Sequence, residues 1–424
     1  MSEPPPAPPP APRRGWLEAL GPGLVTGAAD DDPSGIGTYS QVGAQFGFAF
    51  GWVMLFSYPL LVAIQLICAE IGAVTGRGIA HNLRRHYPRP LLAVAMALLL
   101  VANTINLGAD LGAMAAALAL LLPGPVLLYT FLFGTLSVGL EVWVSYARYA
   151  RFLKWATLSL LAYVLVPFVA RVDWAAALRG LALPALPAGR DAAMALVALL
   201  GTTISPYLFF WQAGQEVEEQ HRTRARPLGL FPRRAGEGLA RIRLDTLAGM
   251  AVTHLTALAI VVATAATLHA HGITAITSAA QAAEALRPIA GEFTFALFAL
   301  GIIGTGLLAV PVLAGSAAYG LAETFGWNEG LDRPPHEARA FYAAIALATA
   351  GGFLLNLTGI DPMRALYWTA VINGLLAPPL MAMTLLLARN PHVMGRLAIS
   401  RPLAAWGWAA TLAMAGVGVL FLLS

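Results

Sequence analysis

Residues 21–41 read GPGLVTGAADDDPSGIGTYSQ, and this stretch decides the fold class. Three consecutive acids, residues 30–32, precede Pro33 in the middle of an apolar segment long enough to cross a bilayer. A charge at the bilayer centre costs about 2.5–3.5 kcal/mol on insertion scales, so three acids there indicate a site rather than packing. Pro33 removes a helical hydrogen bond, and Gly35 tolerates unusual dihedral angles. We therefore expect the helix to unwind at Pro33 and to turn freed carbonyls towards a ligand.

A second helix shows the same kind of interruption. Residues 196–216 read LVALLGTTISPYLFFWQAGQE, with Pro206 at mid-span beside Thr202, Thr203 and Ser205. A single proline kink is common in membrane helices, but two kinks five spans apart, one beside an acid cluster, favour a site. Two interrupted helices in corresponding halves of a chain indicate a transporter site built on inverted repeats.

The composition is that of a helical membrane protein. Hydrophobic residues make up 58% of the 424 positions and charged residues 11%, whereas soluble domains carry about a quarter charged residues. Lipid requires each spanning segment to pair its own backbone groups, which favours a helical bundle, and the short alternating strands of a β-barrel do not occur. Cys68 is the only cysteine, so the sequence contains neither a disulfide framework nor a cysteine metal cluster.

We predict one disordered tail and one transmembrane domain. The proline-rich residues 1–14 form the tail, and residues 15–424 form the transmembrane domain. Eleven spans are expected near residues 18–47, 49–75, 90–119, 126–146, 151–171, 191–219, 242–268, 293–325, 337–357, 362–388 and 403–423. The longest polar insertion, residues 220–241, is predicted to be a loop between the sixth and seventh spans.

The positive charges predict the orientation. All but five of the 26 Lys and Arg residues fall in loops on the same side as the N-terminal tail, including Arg148, Arg151 and Lys154. The positive-inside rule then places the N-terminus in the cytoplasm and the C-terminus outside the cell's inner (plasma) membrane. An odd number of spans requires that arrangement. The charges follow topology, so we expect the lipid bilayer and no nucleic acid as a partner.

Both interrupted helices resemble those of the natural resistance-associated macrophage protein (NRAMP) family. GPGLVTGAADDDPSG is similar to the first helix of that family, whose signature is Asp-Pro-Gly-Asn, and TTISPYLFF is similar to its sixth-helix signature, Ala-Thr-Ile-Met-Pro-His-Asn-Leu. VINGLLAPPL and NPHVMG also resemble its tenth helix and the following loop. The resemblance implies a LeuT-type fold: two inverted five-helix repeats, about 18–171 and 191–388, plus an eleventh helix at about 403–423. It also implies transport of transition-metal ions, usually coupled to protons.

The chain departs from the family pattern at the positions that bind the ion. Asp32 keeps the acid of the family, but the asparagine ligand falls on Gly35. The methionine that favours soft transition metals falls on Ser205, and two histidines fall on Tyr207 and Gln212.

A further departure concerns proton transfer. In the third helix the family carries an Asp and a Glu, three residues apart. The segment NTINLGADLGAM places Asn106 and Ala109 at those positions, with Asp110 one residue off.

The candidate site consists of oxygen donors. The residues predicted to hold the ion are Asp32, Gly35, Thr202 and Ser205. Those predicted to line its path are Asp30, Asp31, Ser34, Tyr207, Asn106, Asp110 and Asn373. Oxygen ligands suit hard cations such as Mg²⁺ or Mn²⁺, whereas thioethers select softer metals. The pattern thus resembles the NRAMP-related magnesium transporters.

The sequence therefore predicts a monomeric divalent-cation transporter that works by alternating access. The metal ion is its substrate, no cofactor is expected, and proton coupling is expected to be weak or absent. Proton-coupled Mn²⁺ or Fe²⁺ import is the alternative within the family. A carrier of another solute, a membrane receptor or a membrane enzyme are alternatives of other classes. The sequence shows no nucleophile motif and no large soluble domain that would favour the enzyme or the receptor.

Overall fold

The computed structural model describes residues 21–144, 161–331 and 333–424. In these ranges it contains helices and no β-strand. In chain order the helices are α1 (Pro22–Asp30), α2 (Pro33–Phe46), α3 (Gly51–Thr75), α4 (Ile79–His86), α5 (Arg89–Ala119), α6 (Val126–Trp143), α7 (Leu161–Val169), α8 (Trp174–Ala182), α9 (Arg190–Thr203), α10 (Pro206–Thr223), α11 (Ala235–Thr267), α12 (Ala279–Glu284), α13 (Arg287–Ala290), α14 (Thr294–Phe325), α15 (Arg339–Leu355), α16 (Pro362–Arg389), α17 (Pro391–Met394) and α18 (Arg401–Leu423).

The predicted all-helical membrane architecture is confirmed. Among the described residues, nine helical stretches are long and apolar enough to cross a membrane. The first predicted span corresponds to the pair α1–α2, and the fifth is described only from Leu161, as α7. The predicted tail (residues 1–14) and the first part of the fifth span, with Arg148, Arg151 and Lys154, lie outside the described residues.

The predicted loop at 220–241 is shorter in the structure than expected. Helix α10 continues to Thr223, and α11 already begins at Ala235, so only residues 224–234 connect them. Charged residues continue a helix beyond the bilayer when they find partners. Here Arg241 on α11 lies 3.7 Å from a Glu216 carboxylate oxygen on α10. The sequence-based boundaries follow the apolar residues, which end where the chain leaves the membrane, whereas the helices continue beyond that point.

Short helices also occur between the spans where loops were expected. Helix α4 buries Ile79 and Leu83 and exposes Arg84 and Arg85. Apolar residues four apart give such a helix one buried face, which is why eight residues suffice when that face packs on the bundle.

Both interruptions lie where the two prolines predict them. Asp32 and Ser205 have extended backbone conformations, and Pro33 and Pro206 are the first residues of α2 and α10. Proline is well suited to that position because it has no N–H group to leave unpaired. Each interruption therefore separates two half-helices by two non-helical residues, one of them extended, and leaves backbone groups available inside the bundle.

Close glycine contacts hold the half-helices against their neighbours. A Cβ atom on Gly23 of α1 would lie 2.7 Å from the backbone nitrogen of Thr246 on α11, and one on Gly201 of α9 would lie 2.7 Å from the Cα atom of Gly374 on α16. Small residues of this kind let membrane helices approach closely. Helix α11 thus supports the half-helix α1 before the first interruption, and α16 supports the half-helix α9 before the second.

Candidate functional site

The Asp32 carboxylate links three elements at the first interruption. Its Oδ1 atom accepts a hydrogen bond from the Gly35 backbone N–H (2.6 Å), which caps the start of α2. Its Oδ2 atom accepts bonds from the Asn106 side chain on α5 and the Tyr207 hydroxyl on α10, each at 3.2 Å. Asp32 therefore lies between α2, α5 and α10, as a central ligand would. Gly35 contributes a backbone donor and lets the chain pack closely, since a Cβ atom there would lie 3.3 Å from the Asp30 carbonyl oxygen.

The second interruption supplies hydroxyl and carbonyl oxygens. The Ser205 hydroxyl lies 3.0 Å from the Gly201 carbonyl oxygen and 2.9 Å from that of Thr202, to which it donates. The Thr202 hydroxyl is buried and has no hydrogen-bond partner. The end of α9 thus places one free hydroxyl and two carbonyls beside the break.

Tyr207 connects the two interruptions. Its hydroxyl lies 3.1 Å from the Ala29 carbonyl at the end of α1, in addition to its contact with Asp32. The single hydroxyl proton can serve only one of these acceptors at a time. The Tyr207 carbonyl in turn accepts a bond from Ser316 on α14 (2.8 Å), which fixes the start of α10.

Asp30 and Asp31 face a different helix from Asp32. The Thr253 hydroxyl on α11 lies 2.8 Å from Asp31 Oδ1 and 3.2 Å from Asp30 Oδ2. The second oxygen of Asp30 is buried without a partner. The three consecutive acids therefore diverge, two towards α11 and one towards α5 and α10.

The remaining predicted path residues are buried with unused polar atoms. Neither carboxylate oxygen of Asp110 has a hydrogen-bond partner. Both amide atoms of Asn373 and the hydroxyl of Ser34 also have no partner. Asn373 is adjacent to Gly374, which packs against Gly201 just before the second break.

Tyr39 and Thr253 belong to the site but were not among the predicted residues. A Cβ atom on Gly35 would lie 3.3 Å from the Tyr39 ring, and the Tyr39 hydroxyl lies near that of Thr202 without meeting hydrogen-bonding geometry. The spacing of four from Gly35 to Tyr39 could have revealed the tyrosine, since such residues share a helical face. Nothing in the sequence pairs Thr253 with acids more than 220 positions away.

The chemistry of the site is that of a set of oxygen ligands suited to a cation. Asp30, Asp31, Asp32 and Asp110 are 1%, 5%, 2% and 0% exposed, and none of them forms an ion pair within the described ranges. Buried charges are normally paired or coordinate metals. In the same ranges no three His, Cys, Asp or Glu side chains converge into a ready metal cage, so hydroxyls, amides and carbonyls must complete any coordination shell.

An acidic cavity of about 250 Å³ lies beyond the site, between α10, α14 and the segment after α14. Glu218, Glu323, Glu329, His221 and Arg333 are among its lining residues. Burial, together with the charges of Glu323 and Glu218, raises the pKa of Glu329 to about 9, so this group is protonated at neutral pH. The cavity brings several acidic side chains together at the end of α10.

Comparison with known proteins identifies the family. The profile of the natural resistance-associated macrophage protein-like family matches residues 23–424. The chain belongs to this family. It is a family of transporters and not of enzymes. The chain is 27% identical to the divalent metal cation transporter MntH of Klebsiella pneumoniae (94% of this chain, 92% of the relative) and 26% identical to MntH of Yersinia enterocolitica (98% and 97%).

Solved structures agree on the fold. A manganese transporter of Eremococcus coleocola superposes with a TM-score of 0.78 at 15% identity, covering 97% of this chain and 88% of that one. The nucleobase-cation-symport-1 family transporter Mhp1, in a closed conformation, superposes with a TM-score of 0.60 at 15% identity (95% and 90%). The NRAMP family member described here is therefore an all-helical, multi-pass membrane protein of the LeuT-type class.

Proposed function

We propose that this NRAMP family member carries divalent metal cations across the membrane by alternating access around Asp32. The observation that carries the proposal is the Asp32 carboxylate at the meeting point of the two broken helices, surrounded by buried oxygens that have no partner. The names of the MntH relatives support a divalent metal substrate. The two five-helix repeats, about 18–171 and 191–388, would each contribute one interrupted helix, and residues 403–423 would be the additional helix.

Mg²⁺ or Mn²⁺ is the proposed substrate. Every polar group placed around Asp32 offers oxygen or an N–H group, and the position where the family carries methionine is Ser205. Hard oxygen ligands suit Mg²⁺ and Mn²⁺.

Proton coupling is proposed to be weak or absent. The third-helix acids of the resembled family correspond to Asn106 and Ala109, and Asn106 donates to Asp32 rather than accepting a proton from it. Asp110, which lies on the same face, is the group that could restore coupling, and proton-coupled Mn²⁺ import is accordingly the second candidate.

The proposed location is the inner (plasma) membrane, with the N-terminus in the cytoplasm and the chain acting as a monomer. The distribution of Lys and Arg between the two sets of loops supports this orientation.

Uptake into proteoliposomes tests the proposal. Purified protein is reconstituted, Mg²⁺, Mn²⁺, Fe²⁺ and Cd²⁺ are supplied separately, and a luminal dye reports pH, with protein-free liposomes as the control. We expect Mg²⁺ and Mn²⁺ uptake with little acidification. Strong Cd²⁺ uptake with acidification would support the proton-coupled alternative, and no uptake of any of the four ions would contradict divalent-cation transport.

A further inference from the structure

We propose that the turn between α10 and α11 places Leu230 and Phe231 in the headgroup region of the membrane, where the arginines around them bind anionic phospholipids. Residues 224–234 form this turn, the 224–234 turn, which connects two helical stretches that are long and apolar enough to cross a membrane. The contact is additional to the proposed function and does not depend on which ion is carried.

Leu230 and Phe231 are large apolar side chains that the fold leaves exposed outside the spans. Their exposed fractions are 65% and 47%. The turn follows the charged end of α10, which carries Glu219 and Arg222, and precedes the first turn of α11, which carries Glu237. Two neighbouring apolar side chains are unfavourable in water, whereas the boundary between headgroups and acyl chains buries them.

The 224–234 turn is an ordered part of the fold. The Phe231 N–H donates to the Leu228 carbonyl (3.0 Å), and the Leu228 side chain packs against the hydrophobic core. A Cβ atom on Gly229 would lie 2.7 Å from the Val74 carbonyl oxygen, so the backbone of the turn lies close against the end of α3. Because the turn is held on this inner side, Leu230 and Phe231 remain on its outer side.

Arginines without a described partner surround the two apolar side chains. Arg224, Arg226 and Arg233 lie on the turn itself, and residues 395–397, which include Arg396, lie beside it. All four arginines are exposed, and none forms an ion pair within the described ranges. No Asp or Glu occurs at residues 220–236 or 390–403. A guanidinium group binds a phosphate through two parallel hydrogen bonds, so this surface suits phosphodiester headgroups.

Other arginines on the same side of the bundle have carboxylate partners. Arg241 lies 3.7 Å from Glu216, and Arg243 lies 3.4 Å from Glu70. The unpaired arginines are therefore those that flank the exposed apolar pair. A phospholipid fits this combination better than a soluble anion does, because a soluble anion would leave the apolar side chains in water. Basic residues beside a span attract anionic lipids in particular.

The depth of residue 230 in a bilayer tests the proposal. A spin label is attached to the full chain carrying Leu230→Cys and Cys68→Ala, in nanodiscs of phosphatidylcholine with or without phosphatidylglycerol. Its collision rates with oxygen, which enters lipid, and with a water-soluble nickel complex are compared. We expect oxygen to reach the label in preference to nickel, and phosphatidylglycerol to increase that preference.

A second labelled position provides the control. Glu337 is an exposed residue between α14 and α15, and a label at Glu337→Cys should be reached mainly by nickel in both kinds of nanodisc. The lipid dependence at residue 230 would then belong to the 224–234 turn and not to the whole protein surface.

Variants separate the charges from the apolar contact. Replacing Arg224, Arg226 and Arg233 together by Gln should abolish the effect of phosphatidylglycerol on the label at residue 230. Arg179→Gln is the matched control, because Arg179 is an exposed arginine on the distant helix α8 and should leave the effect unchanged.

The apolar contact is tested at Phe231. Phe231→Ser should move the label towards water in both kinds of nanodisc, whereas Phe231→Leu should keep its depth. These substitutions lie on an exposed side chain, so the fold is expected to tolerate them.

Three outcomes would overturn the proposal. The first is a label reached mainly by nickel in both kinds of nanodisc, and the second is a depth that does not depend on phosphatidylglycerol. The third is a label shielded from both reagents, which would show that a protein partner or a second copy of the chain covers the turn. Each result leaves the proposed function standing, because the measurement involves neither ion binding nor uptake.

Discussion

At the scale of single residues, some groups of the site could be predicted from the sequence and others could not. Asp32 beside Pro33 could be predicted, since an acid next to a helix-breaking proline has few structural explanations in a membrane. Tyr39 and Thr253 could not be singled out, because buried hydroxyls in membrane helices usually bond to their own backbone, as Thr264 does with Ile260. Only the fold shows that Thr253 bonds to carboxylates instead.

Ser205 is predicted to govern the choice between hard and soft cations. Ser205→Met would add a thioether beside Asp32, so we expect Cd²⁺ uptake to rise relative to Mg²⁺ uptake, by roughly tenfold for one favourable soft ligand. The measurement is the ratio of the two uptake rates in proteoliposomes. Ser205→Ala is the matched control, since it removes the same hydroxyl without adding sulfur. An equal change in both variants would show that the lost hydroxyl, rather than the thioether, sets the ratio.

At the scale of helices, the first half-helix is held at its starting end by a residue of another span. Asp245 on α11 accepts hydrogen bonds from the backbone N–H groups of Gly21 (2.9 Å), Gly23 (2.7 Å) and Leu24 (3.2 Å). A carboxylate at this end also interacts favourably with the helix dipole. Because the helix is broken before Pro33, α1 is not stabilised by continuing into α2. It therefore depends on contacts of this kind with its neighbours.

Removing this cap should loosen α1 alone. In Asp245→Ala, three N–H groups lose their acceptor, and we expect hydrogen exchange across residues 21–30 to become about tenfold faster or more. Asp361→Ala is the control, because Asp361 caps its own helix α16 through Met363 and Arg364. Hydrogen-exchange mass spectrometry should show that exchange in that variant becomes faster near residue 363 and stays unchanged at residues 21–30. Unchanged exchange at 21–30 in Asp245→Ala would mean that the glycine contacts with α11 suffice to hold α1.

The boundaries of the helices were the least predictable part at this scale. Hydrophobicity marks where a span enters the lipid. The polar sequence therefore predicts a loop over all of residues 220–241, although both ends are helical in the structure. In the structure Gln220 on α10 donates to the Ala73 carbonyl on α3 (2.7 Å), which gives this polar end a tertiary contact. Contacts of this kind join residues far apart in sequence and leave no local pattern.

At the scale of the whole molecule, the site lies deep inside the helical bundle. The four site carboxylates are almost completely buried. The proposed alternating access would move the half-helices against α11 and α16, on which they pack closely through glycines. Hydrogen bonds from α1 to Asp245 of α11 would have to move with them or break.

The central claim is that Asp32 is the ligand around which transport occurs, and one measurement tests it most directly. Initial rates of Mn²⁺ and Mg²⁺ uptake are compared in proteoliposomes containing wild-type protein, Asp32→Ala, or Asp173→Ala, an exposed carboxylate that caps the surface helix α8. All three proteins are first shown to be monodisperse. We predict that uptake by Asp32→Ala falls to the level of protein-free liposomes while Asp173→Ala transports at the wild-type rate. Wild-type uptake by a folded Asp32→Ala protein would contradict the account.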